Sequence, residues 1–353
     1  MSNLNLAGKI QTVKGIIEPE KLGVTLTHEH LFCDQSGFSI NPIEANKRAI
    51  FINKVAQENL GFIRHHYSSN LDNGQLWEFD SALQEANLYK QFGGQGLIDV
   101  TTIGLGRDPK GLFRIANTTD LNIIMGASYY QNLAHPKDMD DKTEEEITQE
   151  IIQDLTIGVK NTNIKCGIIG EVGLGWPIYK NELKVLRASA IAQKLTGAPL
   201  LIHPGRDEYA PFEIIEILNN LGADLSKTVI GHVERTVFKK DNLLKLAESG
   251  CFINWDLFGE EDSYYGHYKI KARPTDAGRM DQIDLLISEG YVDQILIAHD
   301  ICNKMRLTRY GGHGLHYILS HIIPRMRSRG FTEESINSLV IENPKRLLTF
   351  NDI

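Results

Sequence analysis

The sequence lacks any apolar run near the roughly 18 residues that a membrane-spanning helix needs. Its four cysteines are far apart and form no Cys-x-x-Cys pair, so we expect neither a disulfide framework nor a thiolate zinc site. It also lacks a cluster of lysine and arginine, and the net charge of −8 argues against a nucleic-acid surface. The N-terminal residues resemble neither a signal peptide nor a transit peptide. We therefore expect a cytoplasmic protein that binds a small molecule, with no nucleic-acid or membrane partner.

Length and composition favour one large domain. The chain has 353 residues, 42% of them hydrophobic, which is enough for a single α/β barrel. Residues 8–23 alternate loosely around Gly15 and Pro19, which predicts a short N-terminal hairpin that acts as a lid or plug. After His30, a long excursion to about residue 80 contains turn signals but no regular pattern. We expect a single domain over 1–353, with the hairpin in 1–23 and the barrel in 24–353.

Eight short apolar runs alternate with segments of helical period, which predicts strands followed by helices. The predicted strands are 24–30, 96–102, 121–126, 166–171, 198–203, 228–232, 251–255 and 294–300. The predicted helices are 81–89, 110–118, 144–158, 182–196, 211–221, 238–249, 277–289, 313–329 and 332–341. Eight such units indicate an α/β fold of the (β/α)8 TIM-barrel class with a long insertion after strand one. A doubly wound open sheet is the alternative, but no Gly-x-Gly-x-x-Gly follows the first strand.

Metal-capable side chains recur where the predicted strands end. In a barrel these ends meet at the face that carries the chemistry. His28 and His30 are two residues apart, so they share one face of strand one. The full set at five strand ends is His28, His30, Glu171, His203, His232 and Asp300. Any one of them has an ordinary structural explanation as a hydrogen-bonded histidine or a salt-bridge partner.

Together the six residues are costly to bury unless cations or charge partners satisfy them. Four histidines and two carboxylates exceed the three or so ligands that one catalytic zinc requires. The set therefore predicts two divalent metal ions, with Zn²⁺ favoured and manganese, cobalt or iron left open. Glu171, near the middle of the order, is the expected bridging carboxylate.

These motifs resemble the phosphotriesterase family of the amidohydrolase superfamily. Within this family, the sequence more closely resembles the phosphotriesterase-related branch. The segments that carry this resemblance are 25–31, 164–171, 203–206, 256–259, 310–314 and 341–345. The match runs from about residue 9 to the C-terminus. The resemblance implies that one ion is held by His28, His30, Glu171 and Asp300, and the other by Glu171, His203 and His232.

Two departures separate this chain from other members of the family. The phosphotriesterases proper bridge their metals with a carboxylated lysine, whereas this chain has Glu171, as the related branch does. Lactonase-like relatives carry an arginine shortly after strand seven, where this chain has Leu257. The first departure predicts a site that assembles without added carbon dioxide, and the second disfavours a lactonase.

The expected reaction is hydrolysis by a hydroxide that bridges the two metals and attacks a polarised carbonyl. Asp300 is the expected general base and then acid, with a role as metal ligand alone as the alternative. Asp256 is predicted to position a loop or a leaving group, and Glu29 to be structural. The resemblance implies an amidohydrolase that cleaves N-acetyltaurine to taurine and acetate, and other N-acetyl amino acids. An ester or lactone hydrolase and a non-catalytic ligand-binding barrel remain the alternatives.

Candidate substrate-binding residues lie in the loops after the strands. Arg206 follows His203 in a Pro-Gly turn, so it can face the mouth, with a surface ion pair as the alternative. Arg107 can do the same or pair with a carboxylate such as Asp108. The remaining candidates are Tyr130, Arg306, Tyr310 and His313. Arginines in the mouth of an acidic protein predict a small anionic N-acyl substrate. The sequence leaves a homodimer open.

Overall fold

The computed structural model describes residues 6–42, 44–262 and 272–352. Their strands are β1 Ile10–Thr12, β2 Gly15–Ile17, β3 Thr25–Glu29, β4 Cys33–Asp34, β5 Gln75–Leu76, β6 Gly96–Asp99, β7 Asn122–Ala127, β8 Ile168–Gly173, β9 Leu200–His203, β10 Thr228–Ile230, β11 Phe252–Trp255 and β12 Ile295–Ile297. Eight of these strands, β3 and β6 to β12, form one parallel sheet in chain order. The prediction of a (β/α)8 TIM barrel is confirmed.

Hydrogen bonds between the first and last strands close the barrel. The backbone N–H of Asp300 donates to the carbonyl of His28 at 3.1 Å. The Thr27 hydroxyl donates to the carbonyl of Ile297 at 3.2 Å. These contacts bring the strand-one histidines beside Asp300, although 270 residues separate them in the sequence.

The N-terminal hairpin plugs one end of the barrel. β1 and β2 pair antiparallel, and the N–H of Val13 donates to the carbonyl of Ile123 at the start of β7. Ile10 and Leu22 are buried in a cluster with one apolar side chain from each of seven barrel strands: Ile98, Ile124, Ile168, Leu201, Val229, Phe252 and Leu296. The predicted hairpin is therefore present and seals the end of the barrel opposite to the strand C-termini.

Helices surround the sheet. They are α1 Ala45–Ile52, α2 Leu60–His65, α3 Phe79–Gln91, α4 Pro109–Thr119, α5 Glu144–Thr156, α6 Lys180–Thr196, α7 Ala210–Asn220, α8 Lys240–Glu248, α9 Asp276–Ser288, α10 Ile323–Ser328, α11 Glu333–Asn337 and α12 Asn343–Leu348. The Thr143 side chain caps α5, and Glu146 returns the bond in a capping box. In the described residues no helix combines the length and apolarity needed to cross a bilayer.

The last two predicted helices differ from those observed. The prediction of one helix over 313–329 was wrong at its start, because a π-helical turn at Ile318–Ile322 leads into α10. The prediction over 332–341 ended too early. There α11 passes through a second π-helical turn, Ser338–Glu342, into α12. Pro324 and Pro344 lie at the starts of α10 and α12, where a residue without an N–H breaks the regular ladder and favours a wider turn.

Three predicted strands run too far, and in two of them the last residue leaves the extended conformation. His232 and Asp300 have φ of 53° and 52°, the left-handed region that non-glycine residues rarely adopt. β10 and β12 therefore end at Ile230 and Ile297, and β6 ends at Asp99 instead of Thr102. The turns carry the side chains of His232 and Asp300 over the end of the barrel.

The excursion after strand one folds over the same end. It contains α1, α2, several single 3-10 turns and the short β4–β5 pair. The buried Lys304 amino group holds it against the loop after β12 through Asp72 and Glu78, both at 2.9 Å. The predicted insertion thus forms part of the wall above the strand ends.

Candidate metal centre and substrate cavity

All six predicted ligands lie together at the C-terminal ends of the strands. Their donor atoms form three overlapping groups, each able to hold a cation: His28, His30 and Glu171; Glu171, His203 and His232; His28, His232 and Asp300. Within each group the donor atoms are all within 4.8 Å of one another. Glu171, His28 and His232 each belong to two of the groups, and Glu171 is the one carboxylate among these three.

The two oxygens of Glu171 face different histidines. Its Oε1 lies 3.4 Å from His30 Nε2. Its Oε2 lies 2.9 Å from His203 Nδ1, and 3.5 Å from both His28 Nε2 and His232 Nε2. One carboxylate thus stands between a pair of histidines from β3 and a pair from β9 and the turn after β10.

Hydrogen bonds on the far side of each ring aim the strand-one histidines inward. The Thr101 hydroxyl donates to the Phe32 carbonyl at 3.0 Å, so it accepts from His30 Nδ1, 2.9 Å away. That places the His30 proton on Nδ1 and leaves the lone pair of Nε2 facing the cluster. His30 Nε2 and His28 Nε2 are buried and have no hydrogen-bond partner among the described residues. Such orphaned nitrogens fit a site for divalent cations.

Asp256 orients two of the histidines at once. Its Oδ1 lies 2.7 Å from His232 Nδ1, and its Oδ2 lies 3.1 Å from His28 Nδ1. The side chain is fully buried and also accepts the backbone N–H of His232. This arrangement fixes His232 by a hydrogen bond and His28 by an ion-pair contact, and both Nε2 atoms lie 3.5 Å from Glu171 Oε2. The sequence analysis predicted that Asp256 positions a loop or a leaving group, and it did not identify these contacts with the histidines.

The electrostatics of the cluster favour positive charge. Burial opposes ionisation of Glu171, yet His28 and hydrogen bonds from His203 and His232 hold its pKa well below the ordinary value. Burial lowers the pKa of His28, but Asp256 and Glu171 outweigh it and raise that pKa well above its usual range. The Glu171 carboxylate therefore remains ionised and attracts cations.

Asp300 is the most accessible of the six. Its side chain is 16% exposed, whereas that of Glu171 is 2% exposed. Its Oδ1 lies 3.2 Å from His30 Nε2 and 3.8 Å from His28 Nε2. Asp300 can therefore contact both the other five candidate ligands and a molecule in the cavity above them.

His203 is held by two further side chains. The Tyr130 hydroxyl lies 3.2 Å from its Nδ1, and the Arg235 guanidinium donates to its Nε2 at 3.0 Å. Burial and the neighbouring His232 and Arg235 lower the pKa of His203 well below its usual value. Arg235 follows His232 by three residues, and Arg206 follows His203 by the same number. The sequence analysis used this spacing to predict Arg206 but missed Arg235.

A cavity of about 470 Å³ opens above the cluster. This is within the usual size for a small-molecule site, roughly 300–1,000 Å³. Of the predicted substrate-binding residues, Tyr130, Arg206 and Arg306 line it. The insertion supplies Phe38 and Ile40, whose side chains make part of its wall apolar. The cavity thus joins metal-capable groups, arginines and apolar surface.

The other three predicted substrate-binding residues lie elsewhere. Arg107 is directed away from the cavity, because its guanidinium pairs with Asp154 at 2.8 Å and donates to the Gly126 carbonyl at 3.0 Å. Asp108, its expected partner, instead caps α4. The Tyr310 hydroxyl donates to Glu78 on the outer side of the loop at 3.3 Å. His313 lines an adjoining cavity of about 540 Å³. Sequence spacing identified the loops but not the directions of these side chains.

The Glu29 side chain faces away from the six candidate ligands. Its Oε1 accepts from the backbone N–H and Nδ1 of His299, at 2.8 and 2.7 Å. Its Oε2 accepts from the N–H of Ile301 at 3.1 Å. The residue between the two histidines therefore fastens strand one to the segment that carries Asp300.

Comparison with known proteins agrees with this geometry. A family model described as "Phosphotriesterase family" matches residues 8–348. A phosphotriesterase-related protein of Nematostella vectensis is 44% identical, covering 98% of this chain and 99% of its own. An N-acetyltaurine hydrolase of Bos taurus is 43% identical, with the same coverage. The crystal structure of a resiniferatoxin-binding protein from Rhodobacter sphaeroides superposes with a TM-score of 0.93 at 33% identity, covering 97% of this chain and 95% of that one.

The sequence likeness extends through the whole barrel, including all the strand ends that carry the histidines and carboxylates. On this combination of fold, clustered ligands and family match, the chain belongs to the phosphotriesterase family.

Proposed function

We propose that this protein is a hydrolase with two divalent metal ions that cleaves a small anionic N-acyl amide, foremost N-acetyltaurine, to an amine and a carboxylic acid. The observation that carries the proposal is the position of Glu171 between two histidine pairs, beneath a cavity lined by arginines. The amide substrate is supported by the relative from Bos taurus, which is named N-acetyltaurine hydrolase.

The ligand assignment is the one that the family resemblance implies. His28, His30 and Asp300 would hold one ion and His203 and His232 the other, with Glu171 shared between them. The distance of 3.2 Å from Asp300 Oδ1 to His30 Nε2 supports it, although Asp300 also forms a donor group with His28 and His232. Imidazole and carboxylate donors suit zinc, and also manganese, cobalt or iron. When bound, the two ions would supply Lewis acidity, which makes a water acidic near neutral pH and polarises a carbonyl oxygen.

Asp300 is positioned to move the proton. Its Oδ1 faces the histidines of strand one, and its partial exposure lets it contact the cavity. As general base it accepts a proton from the attacking water, and as general acid it returns that proton to the departing amine nitrogen. The hydrogen bond from Arg306 to its backbone carbonyl, at 2.7 Å, fixes the turn that carries it.

The cavity walls orient the substrate. The Tyr130 hydroxyl, next to His203, can donate to the carbonyl oxygen of an acyl group. Arg206 lines the same cavity and provides charge-assisted hydrogen bonds for a sulfonate or carboxylate. The acyl group would lie beside the apolar side chains of Phe38 and Ile40.

Two alternatives predict different chemistry from the same barrel. An ester or lactone hydrolase would use the same metals, but Leu257 stands where lactonase-like relatives have an arginine. A non-catalytic binding barrel is favoured by the structural likeness to a resiniferatoxin-binding protein. It does not account for the two buried carboxylates, Glu171 and Asp256, among the histidines, since a binding protein needs neither.

The decisive experiment measures acetate release from N-acetyltaurine, N-acetyl amino acids, a neutral N-acetyl amine and an aryl acetate, and formation of the hydroxy acid from a lactone. Metal-loaded protein is compared with protein treated with chelator and with Asp300→Asn. We expect the anionic amides to be cleaved fastest, chelator to abolish turnover, and Asp300→Asn to lower kcat about 10²- to 10⁴-fold. Faster turnover of esters or lactones would replace the amide proposal. Less than one bound ion per chain, together with no turnover, would favour the binding barrel.

A further inference from the structure

Arg235 is a buried arginine beside the candidate ligands. It ends the single 3-10 turn that follows His232, is 2% exposed and lines the cavity. Its guanidinium contacts three neutral acceptors: His203 Nε2 at 3.0 Å, the Pro204 carbonyl at 3.4 Å and the Thr236 hydroxyl at 3.5 Å. Nowhere in the described ranges does a carboxylate form an ion pair with it. The cation therefore has only neutral partners.

The Arg235 guanidinium keeps donors for a ligand. An arginine has five N–H groups, more than the acceptors that this side chain contacts. Two of its contacts, at 3.4 and 3.5 Å, are also longer than a typical N–H···O bond. The planar fork of a guanidinium matches the two oxygens of a carboxylate. Arg235 is therefore suited to a small planar anion.

Arg235 and Tyr130 lie next to the same atom. The Tyr130 hydroxyl is 3.5 Å from His203 Nε2, and a terminal nitrogen of Arg235 is 3.0 Å from it. A small group that accepts a hydrogen bond from Tyr130 therefore lies beside Arg235. In the proposed function that group is the acyl carbonyl of the substrate.

Hydrolysis of an amide creates negative charge at this acyl group. The oxygen of water adds to the carbonyl carbon, and the π pair moves onto the carbonyl oxygen. The C–N bond then breaks, the nitrogen leaves with the bonding pair and takes up a proton, and the acyl group becomes a carboxylate. A cation beside the carbonyl oxygen binds the charged form more strongly than the neutral substrate, which is the condition for catalysis.

We propose that Arg235 is a catalytic residue, which stabilises the charge that forms on the acyl carbonyl oxygen and binds the short-chain carboxylate product. Arg206 is only half-buried in the same cavity and would serve the anionic head group at the other end of the substrate. This inference rests on the proposed function for the reaction, but carboxylate binding can be measured without turnover.

The first test compares acetate with acetamide, which has the same shape and no charge. Ligand-observed NMR titrations give both dissociation constants for metal-loaded protein. In Arg235→Gln we expect the ratio of acetate to acetamide affinity to fall about tenfold, because one charge-assisted contact is lost. A residue that merely positions His203 would lower both affinities together. An unchanged ratio in folded Arg235→Gln would therefore overturn the proposal.

Two further variants locate the effect. Arg206→Gln should weaken binding of propane-1-sulfonate and keep the acetate to acetamide ratio. Arg327→Gln makes the same chemical change on a side chain that is 52% exposed and pairs with Glu333, and it should alter neither. A fall in the acetate to acetamide ratio as large in Arg206→Gln as in Arg235→Gln would reject the assignment to Arg235.

If Arg235→Gln does not fold, Arg235→Met provides the same test. Methionine is neutral, fills a similar space and needs no hydrogen-bond partner when buried. We expect the same fall of about tenfold in the acetate to acetamide ratio. A wild-type ratio in Arg235→Met would equally reject the proposal.

The kinetic counterpart uses N-acetyltaurine. Arg235→Gln should lower kcat about 10²-fold with little change in KM, because the contact forms as the charge develops. Amide cleavage with unchanged kcat in this variant would reject the role of Arg235 and keep the proposed function. Selective acetate binding through Arg235, without amide cleavage by the wild type, would keep the carboxylate site and reject the proposed function.

Discussion

Replacing Asp256 by Asn should weaken metal binding without touching a single predicted ligand. Asp256 accepts the Nδ1 proton of His232 with Oδ1, and its Oδ2 lies 3.1 Å from His28 Nδ1, at ion-pair distance. Asparagine offers one oxygen and one NH2 group of the same shape. The NH2 group would face the Nδ1–H of one histidine, and two hydrogen-bond donors cannot pair. That histidine would therefore carry its proton on Nε2 instead of Nδ1. The nitrogen facing Glu171 would then no longer be free to bind a cation.

The expected loss of metal affinity in Asp256→Asn depends on how many imidazole rings lose their partner. Loss of the partner that orients a ligating histidine costs about 10- to 100-fold in metal affinity. That corresponds to about 1.4–2.7 kcal/mol at 25 °C. Because both rings depend on the same carboxylate, we expect the loss to be at the upper end of this range. A chelator competition with a zinc indicator dye measures it directly.

The control is Asp293→Asn, the same change on a side chain that is 72% exposed and distant from the cluster. It should bind metal like the wild type. Thermal melts of the metal-free proteins show whether Asp256→Asn retains the fold. Metal affinity within twofold of wild type in folded Asp256→Asn would refute the orientation argument.

Three further substitutions test the assigned roles one by one. Glu171→Gln should lower the metal content at both positions, because the amide NH2 cannot replace a ligating oxygen; two tightly held ions by mass spectrometry would contradict the bridging role. Asp300→Asn should keep the fold and most of the metal but lower kcat about 10²- to 10⁴-fold, as loss of a general base does; unchanged turnover would exclude proton transfer by Asp300. Arg206→Ala should raise KM about tenfold or more for an anionic N-acetyl substrate and little for its neutral analogue, a difference of one charge-assisted contact; equal effects on the two substrates would argue against a head-group role.

The barrel and the clustering of the six candidate ligands could be predicted because both follow from strand order. Parallel strands in a barrel all end at one face, so a residue at each strand end has only a small area in which to lie. His203 and His232 needed no further information to be placed side by side. The resemblance to a known family added the pairing of ligands with each metal.

What could not be predicted depends on contacts between distant segments. Arg107 has a carboxylate next to it in sequence, but its partner is Asp154, 47 residues further along the chain. The role of Asp256 depends on strands one, six and seven meeting, which no local pattern expresses. Glu260 follows β11 in a loop without periodicity, so its position between two arginines had no signal in the sequence.

The His28-Glu29-His30 motif connects the proposed metal centre to Asp300, the proposed general base. Strand alternation directs the two imidazoles to the cluster and the Glu29 carboxylate to the opposite side. There, Glu29 accepts the N–H groups of the residues immediately before and after Asp300. The left-handed turn at Asp300 is unfavourable for an aspartate by itself, and these bonds on either side of it hold the turn in place. The same short strand therefore carries two of the proposed ligands and fixes the position of a third. We expect the proposed metal binding and proton transfer to depend on a glutamate that contacts neither the donor atoms of the proposed ligands nor the substrate cavity.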